Sequence, residues 1–107
     1  MAIKKIDENF AQSPQIQPEE VRAIAEAGYK GIVCARPDGE DPGQPSFAEI
    51  AEVAERFGLK AFHIPVSGPL TEGQRIRFEQ AIAETDGPIL GYCRSGARAG
   101  SLYAASL

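Results

Sequence analysis

Residues 88–98 read PILGYCRSGAR, an apolar run that passes without a break into a short charged turn. Pro88 to Tyr92 has the length and composition of a buried strand, and the small apolar side chains from about Ala97 to Leu107 read as a helix. A strand leading through a glycine turn directly into a helix is the repeating joint of a parallel sheet. Toward the N-terminus the same alternation recurs. LKAFHIPV (59–66) is a strand closed by Pro65 and Gly68, and Thr71 opens a helix with Glu72 in its first turn. Ile76, Phe78, Ile82 and Ala83 are its expected apolar side chains. GIVCA (31–35) is another short apolar strand, followed by RPDGEDPGQPSF (36–47), so dense in proline, glycine and acid that it must be a loop.

Ser46 caps the helix FAEIAEVAERFG, which turns Phe47, Ile50, Ala51, Ala54 and Phe57 to one side and ends at Gly58. QIQPEEVRAIAEAGY (15–29) is a helix with Pro18 at its first position, Glu19 and Glu20 in its first turn and Gly28 as its stop. NFAQS (9–13) is a short opening strand ended by Pro14. Four strands alternating with helices predict an α/β fold with a parallel sheet covered on both faces. Ligands of such sheets bind beyond the carboxyl ends of the strands. Cys93 lies at such an end, and so does the RPDGE loop.

Bulk properties narrow the function. The 107 residues suit one domain, 43% hydrophobic and 24% charged, which is a globular composition. A net charge of -4 argues against nucleic acid as the partner, since phosphate backbones demand a basic face. The start MAIKKIDENF lacks the apolar run of a secretory signal, and no stretch approaches the roughly 18 apolar residues of a membrane span. A cytoplasmic location and two reduced thiols, Cys34 and Cys93, are therefore expected, with no membrane partner. A lone histidine, His63, and no Cys-x-x-Cys pair leave no usual metal site.

The turn CRSGAR concentrates chemistry. A helix N-terminus offers unpaired N–H groups and partial positive charge. A tight turn at Gly96 would aim the amides of Arg94, Ser95, Gly96, Ala97 and Arg98 inward as an anion nest. Arg98 can fold its guanidinium over the mouth and grip an oxyanion through two N–H groups. These features favour a thiolate at Cys93 and then stabilise negative charge on whatever it attacks. Cys34, closing a buried strand, reads instead as inert core. Asp38 reads as turn chemistry, and His63 as a strand residue bonded to backbone.

CRSGAR also matches the pattern C-R-x-G-x-[RT] of the rhodanese active-site loop. RPDGEDPGQPSF, HIPV and GPILGYCRSGAR, in that order, resemble the small bacterial family known as beta-lactamase hydrolase-like, phosphatase-like domain, whose members are also described as sulfur transferases. The resemblance implies a dual-specificity-phosphatase-like fold, a single domain over 1–107 with a parallel four- or five-stranded sheet. It implies Cys93 as nucleophile, Arg98 as anion-binding arginine and no cofactor. Relatives fused to a metallo-hydrolase-like domain that handles persulfides suggest a partner of that type. Where a threonine is expected this chain has Ala97, and it departs from the family at Cys34 as well.

Two reactions fit such a loop. Tyrosine and dual-specificity phosphatases use C-x5-R followed by a hydroxyl residue, whereas here Arg98 closes a C-x4-R ring and Ala99 follows it. A smaller ring suits a terminal sulfur, so sulfur transfer is the first expectation. Cys93 would take sulfane sulfur from thiosulfate or a low-molecular-weight persulfide and pass it to a thiol or cyanide acceptor, with Arg94 and Arg98 drawing in the anion. The alternative is a cysteine-dependent phosphatase acting on a phosphate ester, with Asp38, or Glu40 or Asp41 in its place, as general acid. A third reading is a redox sensor in which Cys93 oxidises and bridges to Cys34.

Overall fold

The computed structural model describes residues 2–107. Its strands are β1 (Lys4–Lys5), β2 (Phe10–Ser13), β3 (Gly31–Cys34), β4 (Lys60–His63) and β5 (Ile89–Tyr92). Its helices are α1 (Val21–Glu26), α2 (Phe47–Arg56), α3 (Glu72–Glu84) and α4 (Ala97–Ala105), with a short 3-10 turn, Pro18–Glu20, leading into α1. They form one five-stranded sheet in the order β1-β2-β5-β3-β4. β2, β5, β3 and β4 run parallel, while β1 pairs antiparallel with β2.

β5 sits at the centre because all four of its residues are apolar or glycine and all four are buried. A strand covered on both faces needs such a run rather than an alternation. Successive side chains still point to opposite faces. Ile89 and Cys93 join Phe10, Val33, Phe78, Ala99, Leu102 and Tyr103 in a core beneath α3 and α4. Leu90 and Tyr92 join Ile24, Ile32, Cys34, Ile50 and Ala54 in a second core beneath α1 and α2. Gly91 is required between them: a Cβ there would lie 2.6 Å from the Phe10 ring and 3.0 Å from Ala99. Without that space α4 would not reach the sheet.

The helix starts follow their sequence signals. Ser46 and Thr71 accept hydrogen bonds from Glu49 N–H and Gln74 N–H, 3.1 Å each, and the Glu49 and Gln74 side chains return the bond to the cap backbone. This is the reciprocal arrangement expected of S/T-x-x-E/Q.

Three expectations are corrected. The sheet is not wholly parallel, because the two-residue β1 adds an antiparallel edge. The helix expected across 15–29 is shorter, its first turn tightening to 3-10 after Pro18, as helix N-termini often do. Apolar faces were drawn too wide: Phe57, Ile76, Ile82 and Ala83 are exposed, and α3 is anchored by the expected Phe78 together with Ala81, three residues apart on one face.

Parallel register brings the chemistry together. Ser13 and Cys34 both pair with Tyr92, and Cys34 also pairs with His63, so all four parallel strands end on one line. Cys93 is the next residue after that line. The chain remains stitched just past it, with Ile64 N–H donating to Cys34 O and Val66 N–H to Ala35 O, both at 2.9 Å.

Candidate active site

Cys93 leaves β5 with its N–H on Ser13 O at 3.3 Å and its sulfur fully buried on the α3/α4 side. Gly96 then turns back, its N–H donating to Cys93 Sγ at 3.0 Å. Gly96 has φ 99°, the left-handed region, and a Cβ there would press on the Ser13 backbone at 3.3 Å. Only glycine takes this conformation without strain. Of the amides expected to point inward, Gly96's meets the sulfur, whereas Ala97 N–H goes to Ser95 Oγ at 3.3 Å. Gly96→Ala is therefore expected to lower stability by about 1–2 kcal/mol and to remove catalytic turnover by displacing that amide. Urea unfolding beside an activity assay checks it; unchanged activity would show that the turn has no part in the reaction.

Arg98, one residue into α4, is held by three hydrogen bonds. Nη1 donates to Glu40 Oε2 at 2.8 Å and to Val66 O at 2.9 Å, and Nη2 donates to Glu40 Oε1 at 2.9 Å. A guanidinium carries five N–H donors. Those left over are Nε–H and the second Nη2–H, which share one edge and match two oxygens of an anion. The Glu40 carboxylate raises the pKa of Arg98, and the neighbouring Cys93 sulfur adds to the rise. The anion-binding arginine expected from sequence is thus beside the thiol and oriented by a carboxylate that sequence reasoning had cast differently.

Glu40 is not a spare general acid. Its hydrogen bond from Arg98, supported by one from Arg36, holds its pKa at about 2 against an ordinary 4.5. A carboxyl depressed in the fold stabilises it above the ordinary value and loses that contribution as pH falls toward the folded value. The stability gap between the wild type and Glu40→Gln is expected to be full above about pH 5 and to close between 4.5 and about 2. Thermal unfolding across pH checks this, and a gap independent of pH would show that the arginines do not hold Glu40.

The other candidates fall into place around this pair. Asp38 Oδ1 accepts Phe47 N–H at 2.8 Å and so closes the loop onto the start of α2. Asp41 Oδ2 accepts from Arg36 Nη2 at 2.6 Å and lies 3.5 Å from Arg94 Nε. Arg94 is exposed, as are Ser95 and Ala97, so these three form the outer rim rather than the floor. His63 Nε2 meets the Arg36 carbonyl at 2.9 Å, the backbone bond expected for it. Cys34 is buried, donates to Arg36 O at 3.3 Å, and burial pushes its thiol pKa up. It faces the α1/α2 core while Cys93 faces the α3/α4 core, so the sheet separates them. The bridged redox pair is set aside on that ground. No group of three or more potential metal ligands occurs among the described residues, and no helix among them is long and apolar enough to cross a membrane.

Sequence reasoning missed Arg36. It is almost fully buried, yet it follows a strand as the first residue of a loop that looks entirely solvated. An arginine flanked by Ala35 and Pro37 and followed by three acids within five residues was the available signal.

Fold and loop together define a class: a parallel α/β domain that seats a cysteine under a glycine turn and an arginine at the carboxyl edge of its sheet. The family described as beta-lactamase hydrolase-like protein, phosphatase-like domain, matches residues 2–107, and the chain belongs to it. A beta-lactamase hydrolase-like protein of Xylella fastidiosa is 42% identical over 107 residues, 99% of this chain and 25% of its own length. The chain thus spans about a quarter of the curated relatives it matches. Among solved structures, a Neisseria meningitidis protein described provisionally as a phosphatase is 39% identical with a TM-score of 0.84, over 96% of this chain and 74% of that one. Tk-PTP in its active form is 25% identical with a TM-score of 0.73, over 99% of this chain and 71% of its own. These findings support the phosphatase-like reading above the sulfur-transfer expectation.

Proposed function

We propose that the chain is the catalytic domain of a cysteine-dependent, phosphatase-type hydrolase acting on a small phosphate ester. The observation that carries this is the pairing of Cys93 Sγ, under the Gly96 amide, with an Arg98 whose Nε–H and second Nη2–H are taken by neither Glu40 nor Val66 and lie beside that sulfur, where they could meet two oxygens of one anion. The family and its structural neighbours point the same way. In the reaction the turn must open to admit substrate, because Cys93 has no exposed surface. The Cys93 thiolate attacks phosphorus in line, the ester P–O bond breaks, and the leaving oxygen departs with its electron pair and takes a proton from water. Arg98 holds the negative oxygens, while Gly96 N–H stays on the sulfur and steadies its negative charge before attack and after release. Water then attacks the phosphocysteine, releasing phosphate and restoring the thiolate.

Sulfur transfer is kept as a second reading because of one observation: the carboxylates near the mouth are committed. Asp38 is bonded to Phe47 N–H, Glu40 to two arginines and Asp41 to Arg36. Ester cleavage benefits from a proton donor at the leaving oxygen. Expulsion of sulfite from thiosulfate needs none, since sulfite leaves as a stable anion. Cys93 would attack the sulfane sulfur, the S–S bond would break with its electron pair going to sulfite, and the Cys93 persulfide would surrender its outer sulfur to a thiolate or cyanide. The short C-x4-R ring and Ala99 suit this reading.

One assay pair decides. The protein is given p-nitrophenyl phosphate in one tube and thiosulfate or glutathione persulfide in another. Cys93-dependent release of phosphate supports the hydrolase. A gain of one sulfur on Cys93 without phosphate release selects the transferase, and neither product overturns both.

A further inference from the structure

Arg36 is a cation placed where cations are rarely found, its side chain only 4% exposed. Each of its nitrogens has a partner: Nε donates to Glu40 Oε1 at 2.9 Å, Nη1 to Gln15 Oε1 at 3.0 Å, and Nη2 to Asp41 Oδ2 at 2.6 Å. Its carbonyl accepts from Cys34 and meets His63 Nε2, so its backbone is fixed as well. Stability alone is a weak reason for such a group, because buried ion pairs can often be replaced by apolar side chains at little cost. What Arg36 orders is more informative. Glu40 and Asp41, its two carboxylates, are the partners of Arg98 and Arg94, the two arginines of the catalytic turn.

We infer that Arg36 is a positioning residue for the reaction at Cys93: by clamping Glu40 from behind, it fixes the direction in which Arg98 presents its open guanidinium edge. The inference rests on the reading of Cys93 and Arg98 given above. Glu40 sits in a loop rich in proline, glycine and acid, its backbone N–H on Gln44 Oε1 at 3.1 Å and its side chain partly exposed. Its Oε1 is shared between Arg98 Nη2 and Arg36 Nε, both at 2.9 Å. With Arg98 as the sole partner of Glu40, the pair would be tied to the fold on the guanidinium side only through the Val66 carbonyl. A second donor, on a buried and immobile side chain, ties the carboxylate side as well. Edge-on recognition of two oxygens loses strength steeply when hydrogen-bond angles drift, so the constraint acts on turnover. Arg36 also sets the charge of the mouth. Three arginines (36, 94 and 98) stand against the three carboxylates of the loop (38, 40 and 41), so without Arg36 the mouth would carry an excess negative charge that repels an incoming anion.

The test uses the full chain, whichever of the two substrates of the assay pair it turns over, and the variants Arg36→Met, Arg36→Lys, Glu40→Gln, Arg36→Met with Glu40→Gln, and Arg98→Ala. Arg36→Met is expected to lower kcat/KM by about tenfold or more, with inhibition by inorganic phosphate weakened in step. Arg36→Lys should recover part of the loss, since it restores charge without the three-way fork. If Arg36 acts through Glu40, the double variant loses no more than the worse single variant. Folded protein is quantified by circular dichroism, so that a merely structural role appears as lost stability with unchanged kcat/KM for the folded fraction. Full kcat/KM in folded Arg36→Met, or losses that multiply in the double variant, overturns the inference while leaving Cys93 and Arg98 in place. Should Arg36→Met not fold, the same comparison is made with Arg36→Lys against Glu40→Gln. An Arg98→Ala variant with wild-type turnover instead overturns the reading on which the inference stands.

Discussion

Cys93→Ser is expected to abolish turnover, by at least about a thousandfold, while leaving the fold intact. The serine hydroxyl is protonated at neutral pH and is a poor nucleophile without an adjacent base. No base is arranged for it: the contact on the Cys93 sulfur is a donor, Gly96 N–H at 3.0 Å, and the cation beside it is Arg98. Both groups stabilise an anion and neither accepts a proton. Structurally the change is mild. Serine can still accept the Gly96 hydrogen bond, and the loss of sulfur volume in the core with Val33, Ala99 and Leu102 is small, so a stability change below about 1.5 kcal/mol is expected. Cys34→Ala is the control. It lies in the opposite core and the loss of its thiol leaves His63 on the Arg36 carbonyl, so it should cost stability and at most a few-fold in activity, far short of the loss in Cys93→Ser. Single-turnover assays with mass spectrometry of the trapped adduct check both. Retained turnover in Cys93→Ser, or its loss in Cys34→Ala alone, would move the nucleophile off the turn and end both enzyme readings.

How much of this was written in the sequence depends on the distance over which each feature is decided. The strand from Ile89 to Tyr92, the glycine turn and the helix after it were legible because strand length, apolarity and glycine are local signals. So were the caps Ser46 and Thr71, whose partners lie three residues on. β1 was not legible: two lysines carry no strand signal, and only the register Lys4 with Gln12 and Lys5 with Ala11 makes them one. The apolar faces of α2 and α3 were overdrawn because periodicity says which side chains share a face, not how far the sheet extends beneath them. Phe57 and Ile82 lie beyond that cover.

The site divides along the same line. Cys93, Gly96 and Arg98 lie within six residues and their spacing sufficed. Arg98 and Glu40, however, are separated by 58 positions, and Arg36 and Gln15 by 21. Their meeting is decided by which strands end side by side, a consequence of sheet order that no local pattern encodes. Hence Glu40 and Asp41 were read only as stand-ins for a general acid, when in the structure they bond arginines, while Asp38, read as turn chemistry, closes the loop onto Phe47 N–H.

Arg98→Ala carries the second large effect, expected at about a hundredfold to a thousandfold in kcat/KM. Two terms contribute. The open Nε/Nη2 edge, which would meet two oxygens as charge develops, is lost outright. Glu40 is then left near the mouth with Arg36 as its remaining charged partner, and its negative field opposes an incoming anion. Stability should fall less dramatically, by about 1–2 kcal/mol, since the pair with Glu40 is partly solvated and Arg36 still neutralises the carboxylate. Arg98→Lys separates geometry from charge: lysine keeps the positive charge but presents no planar fork, so it should remain well below wild type. Adding Glu40→Gln to Arg98→Ala should recover part of the loss by removing the repulsion, an outcome that a bracing role for Arg98 would not produce. If Arg98→Ala instead unfolds the protein while Arg98→Lys is fully active, the arginine braces α4 against the Val66 carbonyl and its fork has no part in holding the anion. Steady-state kinetics on the three variants, beside their thermal unfolding, distinguish these cases.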